Sequence, residues 1–254
     1  MPQEAQLAAH SLPIAWPLGA QQQGEPGVAR GRIVDVRRTT AHSATLTVQP
    51  ASGWGGFLAG QSLRFAVPVD GTWHLLRTFP ASSQHTAQLE FTVTRRGPVS
   101  EYLITQGRRG LPLLVGPAAG TFVLPLPRPQ RLLLVSAGRG ITPALSLLRT
   151  LCDEGHEGDV TFLHYCHAAR DLLHREDLEQ LERHPGVRVE RRYTTAHGRF
   201  DPQHLDGLAE QPVYVSGPET LVDAVTAVTA RWAEPTLSEI SAPTMPDNET
   251  IARS

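Results

Sequence analysis

A chain of 254 residues, 40% apolar and 19% charged, has enough material for two modest domains of ordinary globular composition. Its 23 basic and 25 acidic residues give a formal charge of −2, which excludes a general attraction to nucleic acid or to an anionic membrane surface. Its two cysteines, Cys152 and Cys166, cannot make a four-thiolate iron–sulfur cluster, and no run approaches the ~18 apolar residues of a spanning helix. The start of the chain has no basic segment leading into a clean apolar core. A cytoplasmic protein with reduced thiols is therefore expected, without membrane insertion and without a cluster of its own.

Residues 1–28 are rich in Gln, Ala, Pro and Gly, show no period, and read as a flexible arm. From residue 29 the pattern turns to short β segments at 32–37, 44–48, 63–67 and 89–93, separated by turn residues, with later segments at 113–115 and 121–124. That spacing predicts an antiparallel barrel over 29–127. One short helix interrupts it, from Val99 to about Gln106, entered through Gly97-Pro98. The texture changes at Pro127-Arg128-Pro129. Beyond it, strands at 131–136, 160–165, 187–193 and 213–216 alternate with helices at 142–152, 171–184 and 218–233, and with a brief one after Asp201-Pro202. This alternation predicts a parallel α/β sheet over 128–235. Residues 236–254 are polar and aperiodic and read as a disordered tail.

Four loops carry residues suited to binding. The apolar run Leu132-Leu133-Leu134-Val135 ends in Gly138-Arg139-Gly140-Ile141-Thr142-Pro143, with Thr142 placed to cap a helix and Pro143 to begin it. A strand, a glycine turn and a helix N-terminus make a cradle for a diphosphate, because free N–H groups and the helix dipole both favour an anion. The loop lacks the third glycine of the dinucleotide fingerprint, and a plain strand–turn–helix accounts for the same residues. In the first domain, Arg77-Thr78-Phe79-Pro80-Ala81-Ser82 ends a strand with a cation for phosphate and a ring for stacking; a surface arginine beside a core Phe is the alternative. Arg96-Gly97-Pro98-Val99-Ser100 enters the short helix, either as a phosphate site or as a simple cap. Ser216-Gly217-Pro218 closes a buried strand at the sheet edge, where ligands of open α/β sheets bind.

The order of these loops resembles the ferredoxin–NADP⁺ reductase family of flavoprotein reductases, above all the bacterial oxygenase- and desaturase-linked members, over roughly residues 30–235. Arg77-Thr78-Phe79-Pro80 stands where that family has Arg-x-Tyr-Ser at the flavin, with Ser82 close behind. Gly97, Val99 and Ser100 stand in its FAD-diphosphate segment, and Gly116-Pro117 with Gly120-Thr121-Phe122 is similar to its Gly-Pro-x-Gly-x-Phe. Gly138, Arg139, Gly140, Thr142 and Pro143 match its Gly-x-Gly-Ile-Thr-Pro loop at the pyridine nucleotide. Ser216, Gly217 and Pro218 replace its Cys-Gly-Pro beside the nicotinamide, and Gly198-Arg199 resembles its Gly-Arg. The resemblance implies a Greek-key flavin barrel followed by a nucleotide-binding sheet. It implies FAD and NAD(P)H as cofactors and hydride transfer at positions facing Phe79, Pro80 and Ser216. Family members often continue into a 2Fe-2S domain, and Ser238-Glu239-Ile240-Ser241 is similar to the junction before it. The expected acceptor is therefore a separate ferredoxin or an oxygenase or desaturase component.

Three departures favour a second reading. Phe79 lacks the tyrosine hydroxyl, Pro80 has no donor where the family has serine, and Arg139 brings a large cation to a small-residue position. On that reading the chain is a degenerate member, a non-redox binding module or a repurposed flavin enzyme. For the nucleotide, no acidic residue closes the strand at 160–165, while Arg170 follows it and suits a 2′-phosphate. A surface arginine beside the Asp171 cap is the bland alternative.

Overall fold

The computed structural model describes residues 28–240 and 250–251. The predicted N-terminal arm, Val28 excepted, and positions 241–249 and 252–254 of the predicted tail lie outside the described residues.

Seven strands form an antiparallel sheet: β1 (Ala29–Thr40), β2 (Ser43–Pro50), β3 (Leu63–Val69), β4 (Thr72–Thr78), β5 (Leu89–Thr94), β6 (Pro112–Val115) and β12 (Thr250–Ile251). Their spatial order is β12-β4-β3-β6-β1-β2-β5, so the sheet curls as the open barrel that the short alternating segments predict. Its inward positions supply one core, including Ile33, Leu46, Val48, Phe65 and Phe91. Phe65 and Phe91 stack with ring centroids 4.4 Å apart. Helix α1 (Pro98–Gln106) closes this core with Val99, Leu103 and Ile104. Each such side chain contributes about 1.5–3 kcal/mol on leaving water.

The second sheet is parallel, in the order β11-β10-β7-β8-β9. Its strands are β7 (Arg131–Ala137), β8 (Asp159–Cys166), β9 (Val187–Tyr193), β10 (Val213–Gly217) and β11 (Thr236–Ile240). Helices α2 (Ile141–Asp153), α3 (Arg175–Leu181) and α4 (Glu219–Thr229) accompany it. Leu132, Leu133, Leu134 and Val135 of β7 are fully buried, as a strand covered on both faces requires. The chain steps from β7 to β8 on one side and returns to β10 on the other, so β7 and β10 flank the point where strand order reverses. Crevices of open α/β sheets form there.

Several expectations are corrected. Residues 121–124 form no strand: the prolines around them remove ladder donors, and Phe122 and Leu124 pack in the core of the parallel sheet, with Phe122 edge-on to Tyr214 at 5.3 Å. The predicted helix 171–184 divides into a 3₁₀ turn at Ala169–Asp171 and α3, because Leu172 and Leu173 are drawn into the core between them. The predicted disordered tail begins as a fifth parallel strand, since Thr236–Ile240 pair in register with β10.

The two units meet across polar contacts. Glu154, at the end of α2, accepts from Arg128 Nη2 at 2.7 Å and from His85 Nε2 at 2.9 Å. The Arg128 hydrogen bond, reinforced by His85 and opposed by burial, lowers the carboxyl from 4.5 to about 2. The folded state therefore binds this proton less readily than the unfolded chain, and the contribution is present above pH 4.5 and lost towards pH 2. Melting temperature is expected to fall across that window, with a shallower fall in Glu154→Gln, as differential scanning calorimetry at stepped pH will show.

Candidate functional site

The end of β4, the start of α1 and the turn after β7 converge on a narrow cleft lined by Leu76, Arg77, Thr78, Val93, Thr94, Arg96, Ser100 and Arg139. Three guanidinium groups and no carboxylate line it, a charge balance suited to a diphosphate. Arg77 is held from three sides. Its Nε donates to Ser62 Oγ at 3.0 Å, its Nη2 lies 3.7 Å from Glu239 Oε1, and its guanidinium sits 5.7 Å from the centre of the Phe79 ring. Ser100 Oγ accepts from the Arg96 and Gly97 amides, both at 3.0 Å, and donates to the Gly97 carbonyl at 2.9 Å. Its hydroxyl thus shapes the loop, and Pro98 begins the helix where its missing N–H costs nothing.

The second half of the site lies at the carboxyl ends of β7 and β10. Gly138 adopts φ 54°, a left-handed conformation that glycine tolerates, and opens the 3₁₀ turn Gly138–Gly140. At Gly140 the constraint is space: a Cβ there would lie 2.2 Å from the Ser216 carbonyl oxygen and 2.7 Å from Gly217 Cα. The missing side chain lets the turn close directly on the end of β10. Ser216 is fully buried and its Oγ donates to the Gly140 carbonyl at 2.7 Å, so its hydroxyl staples the two loops instead of facing the crevice. The cap and first helical residue lie two residues earlier than expected, at Gly140 and Ile141; Thr142 Oγ1 donates back to the Arg139 carbonyl at 3.2 Å, and Pro143 is buried in the first turn. Pro218 caps α4.

Thus Arg77, Thr78, Ser100 and Arg139 share one cleft, and Gly140 meets Ser216 and Gly217 at the sheet edge, with Gly138 opening the turn that carries Arg139. Other expected site residues stand elsewhere. Val99 is buried in the barrel core, Pro80 is buried, and Ser82 turns into the domain interface, where its carbonyl accepts from Ser146 Oγ at 2.7 Å. Arg170 and Arg199 are exposed on turns beyond β8 and β9 and do not line the cleft. Glu239 entered the sequence reading only within the junction-like segment 238–241, not as a partner of Arg77. It sits opposite Ser216 on β11, where burial raises its carboxyl pKa and Arg77 pulls it back. A five-residue strand at the edge of an aperiodic tail gave no signal for that contact. Both thiols lie far from thiolate chemistry: burial pushes Cys152 and Cys166 up to about 11.

Comparison with known proteins agrees with this fold. Residues 134–227 match the oxidoreductase NAD-binding domain family. Over 208 residues the chain is 36% identical to an NADPH oxidoreductase of Mycobacterium tuberculosis, covering 76% of this chain and 54% of that protein. It is 29% identical over 130 residues to the glycine betaine monooxygenase reductase subunit of Chromohalobacter salexigens, covering 49% and 35%. The chain thus spans about half or less of the length of these relatives. A ferredoxin NADP⁺ reductase from Neisseria gonorrhoeae, solved with bound FAD and NADP, superposes with a TM-score of 0.73 at 19% identity, over 85% of this chain and 99% of that one.

Proposed function

We propose that the chain is a ferredoxin–NADP⁺ reductase-like flavoprotein reductase, which takes hydride from NAD(P)H onto a bound FAD and passes the electrons to a separate redox protein. The observation that carries this reading is the single cleft in which Arg77, Arg96 and Ser100 of the barrel face Arg139 of the parallel sheet. Flavin, when bound, supplies the conversion of a two-electron donor into one-electron steps; the protein supplies position and charge. Arg77 and the loop at the head of α1 hold the FAD diphosphate, and the Phe79 ring, already under a guanidinium, borders the flavin. The glycine turn and the first turn of α2 hold the diphosphate of the nicotinamide nucleotide. The close approach of Gly140 to Ser216 fixes the two strand ends against which the nicotinamide ring would lie. The acceptor is a ferredoxin or an oxygenase or desaturase component, a choice supported by the relative that is named a monooxygenase reductase subunit.

The test is direct. Protein purified with FAD is expected to show flavin absorbance bands, and anaerobic mixing with NADPH or NADH to bleach them in a single turnover. Protein that neither binds FAD nor bleaches would establish the degenerate, non-redox reading that Phe79 and Pro80 favour.

Arg170 tests nucleotide choice. It is exposed on the turn Ala169–Asp171 directly after β8, with Asp171 occupied in accepting from the Ala168 amide at 3.1 Å. Arg170→Ala is expected to raise KM for NADPH about 10-fold, the loss of roughly one charge-assisted contact, with KM for NADH nearly unchanged. Equal effects on both nucleotides would remove Arg170 from the 2′-phosphate site.

A further inference from the structure

The two halves of the cleft belong to different units, so something must fix the gap between them. Besides His85–Glu154 and Ser82–Ser146, several of the contacts that do so gather on one arginine. Arg149 lies on α2, two turns along from the nucleotide cradle at its head, or about 10 Å. Its Nη1 donates to the Ala81 carbonyl at 2.9 Å and lies 3.4 Å from Glu90 Oε1, and its Nη2 lies 2.7 Å from Asp177 Oδ1. Ala81 follows Phe79 and Pro80 and is gripped from its other side too, because its amide donates to the Glu90 carbonyl at 2.6 Å. One side chain thus joins the strand end bearing Phe79 to the helix headed by the glycine turn.

The partners of Arg149 are themselves held. His174, fully buried in a left-handed conformation at φ 56°, donates from Nδ1 to Asp177 Oδ2 at 2.9 Å. Its Nε2 lies 2.8 Å from Thr92 Oγ1 on β5, which lies 2.8 Å from Thr45 Oγ1 on β2. Arg37 of β1 reaches the same aspartate at 3.4 Å. A non-glycine residue in that backbone region persists only where its surroundings over-determine it. Glu90, His174 and Asp177 also bring three ligand atoms within 4.8 Å of one another, but Arg37 and Arg149 already neutralise both carboxylates, so the cluster is an ionic lock and not a cation site.

We infer that Arg149 is a positioning residue for hydride transfer: it sets the distance between the strand end bearing Phe79 and the helix that carries the nucleotide cradle. This rests on the flavin reading above. Misplacement of reacting groups by about 1 Å costs on the order of 100-fold in rate, whereas each cradle keeps its own binding contacts.

The experiment uses the FAD-loaded protein and the variants Arg149→Met, Arg149→Lys and Glu154→Gln. Arg149→Met is expected to slow single-turnover flavin reduction at saturating NADPH about 10- to 100-fold, with Kd for FAD and for NADP⁺ within about threefold of wild type. Arg149→Lys, which keeps the charge but not the fork, should recover part of the rate. Glu154→Gln breaks another contact between the two units and should lower the melting temperature while leaving the rate within about twofold. A wild-type rate in a destabilised Arg149→Met overturns the inference, as does an equal slowing in Glu154→Gln or a loss of FAD affinity in place of rate. If wild-type protein itself accepts no hydride, the functional reading fails, and amide exchange decides the lock independently. Faster exchange in Arg149→Met at Ala81, Ser82 and Gly140–Thr142, with the barrel core unmoved, upholds it; unchanged exchange there overturns it.

Discussion

Arg77→Ala is expected to weaken FAD binding about 10-fold or more, the largest loss of any single substitution on the barrel side of the cleft. A charge-assisted contact to a diphosphate is worth roughly 1.5–3 kcal/mol, and about 1.4 kcal/mol is tenfold in affinity. Arg77 also enters the site already oriented, by Ser62 Oγ at 3.0 Å and by the Phe79 ring at 5.7 Å, so little entropy is lost on binding. Removing it leaves Glu239 without the cation that faces it and leaves the ring uncovered, and both changes lower the affinity of the cleft for an anion. Arg77→Lys should fall between, since an ammonium keeps charge but loses the planar fork and the stacked geometry. Fluorescence titration of FAD at two salt concentrations measures this, and the difference between variant and wild type should narrow at high salt. An unchanged Kd for Arg77→Ala would take the diphosphate away from this cleft.

What the sequence made legible followed from local chemistry. The buried run Leu132–Val135, the glycine turn and the apolar face of α2 are all decided within about twenty residues, and they stand where periodicity puts them. Pro98 at the head of α1 was legible for the same reason. The errors arose where distant parts of the chain decide. Residues 121–124 look like a strand by composition, but Phe122 is claimed by Tyr214, ninety-two residues later. Thr236–Ile240 look like a tail until the edge of β10 offers them a ladder. Ser216 is a polar atom at a sheet edge in sequence, and only the fold shows that the Gly140 carbonyl takes its hydroxyl. The lock at Arg149 was invisible for the strongest form of this reason: only His174 and Asp177 are local to each other, three residues apart, and Arg37, Glu90 and Arg149 reach them from distant parts of the chain.

Gly140→Ala should separate nucleotide binding from flavin binding. Gly140 has φ −62° and ψ −6°, a conformation open to any residue, so the backbone itself carries no penalty for a side chain. The penalty is steric and falls on groups that cannot move alone: the new methyl would lie 2.2 Å from the Ser216 oxygen, 2.5 Å from its carbonyl carbon and 2.7 Å from Gly217 Cα. Relieving it pushes the turn after β7 off the end of β10 and breaks the Ser216–Gly140 hydrogen bond. Overpacking of this kind costs about 1–3 kcal/mol, and the distortion falls on the nucleotide cradle itself. Kd for NADP⁺ is expected to rise about 10- to 100-fold, and hydride transfer to slow with it. Arg77, Arg96 and Ser100 lie on the barrel, so Kd for FAD should stay near wild type. Gly138→Ala is the matched control. Its φ of 54° makes a side chain cost about 1–2 kcal/mol of conformational energy, but nothing lies within 4 Å of its Cβ position, so the loop need not leave β10. Difference spectra with NADP⁺ separate the cases. If Gly140→Ala binds NADP⁺ as the wild type does, the contact between the two strand ends is no part of the nucleotide site. A parallel loss of FAD would instead show that the cleft responds as one unit, with the barrel loops held in place by the sheet edge.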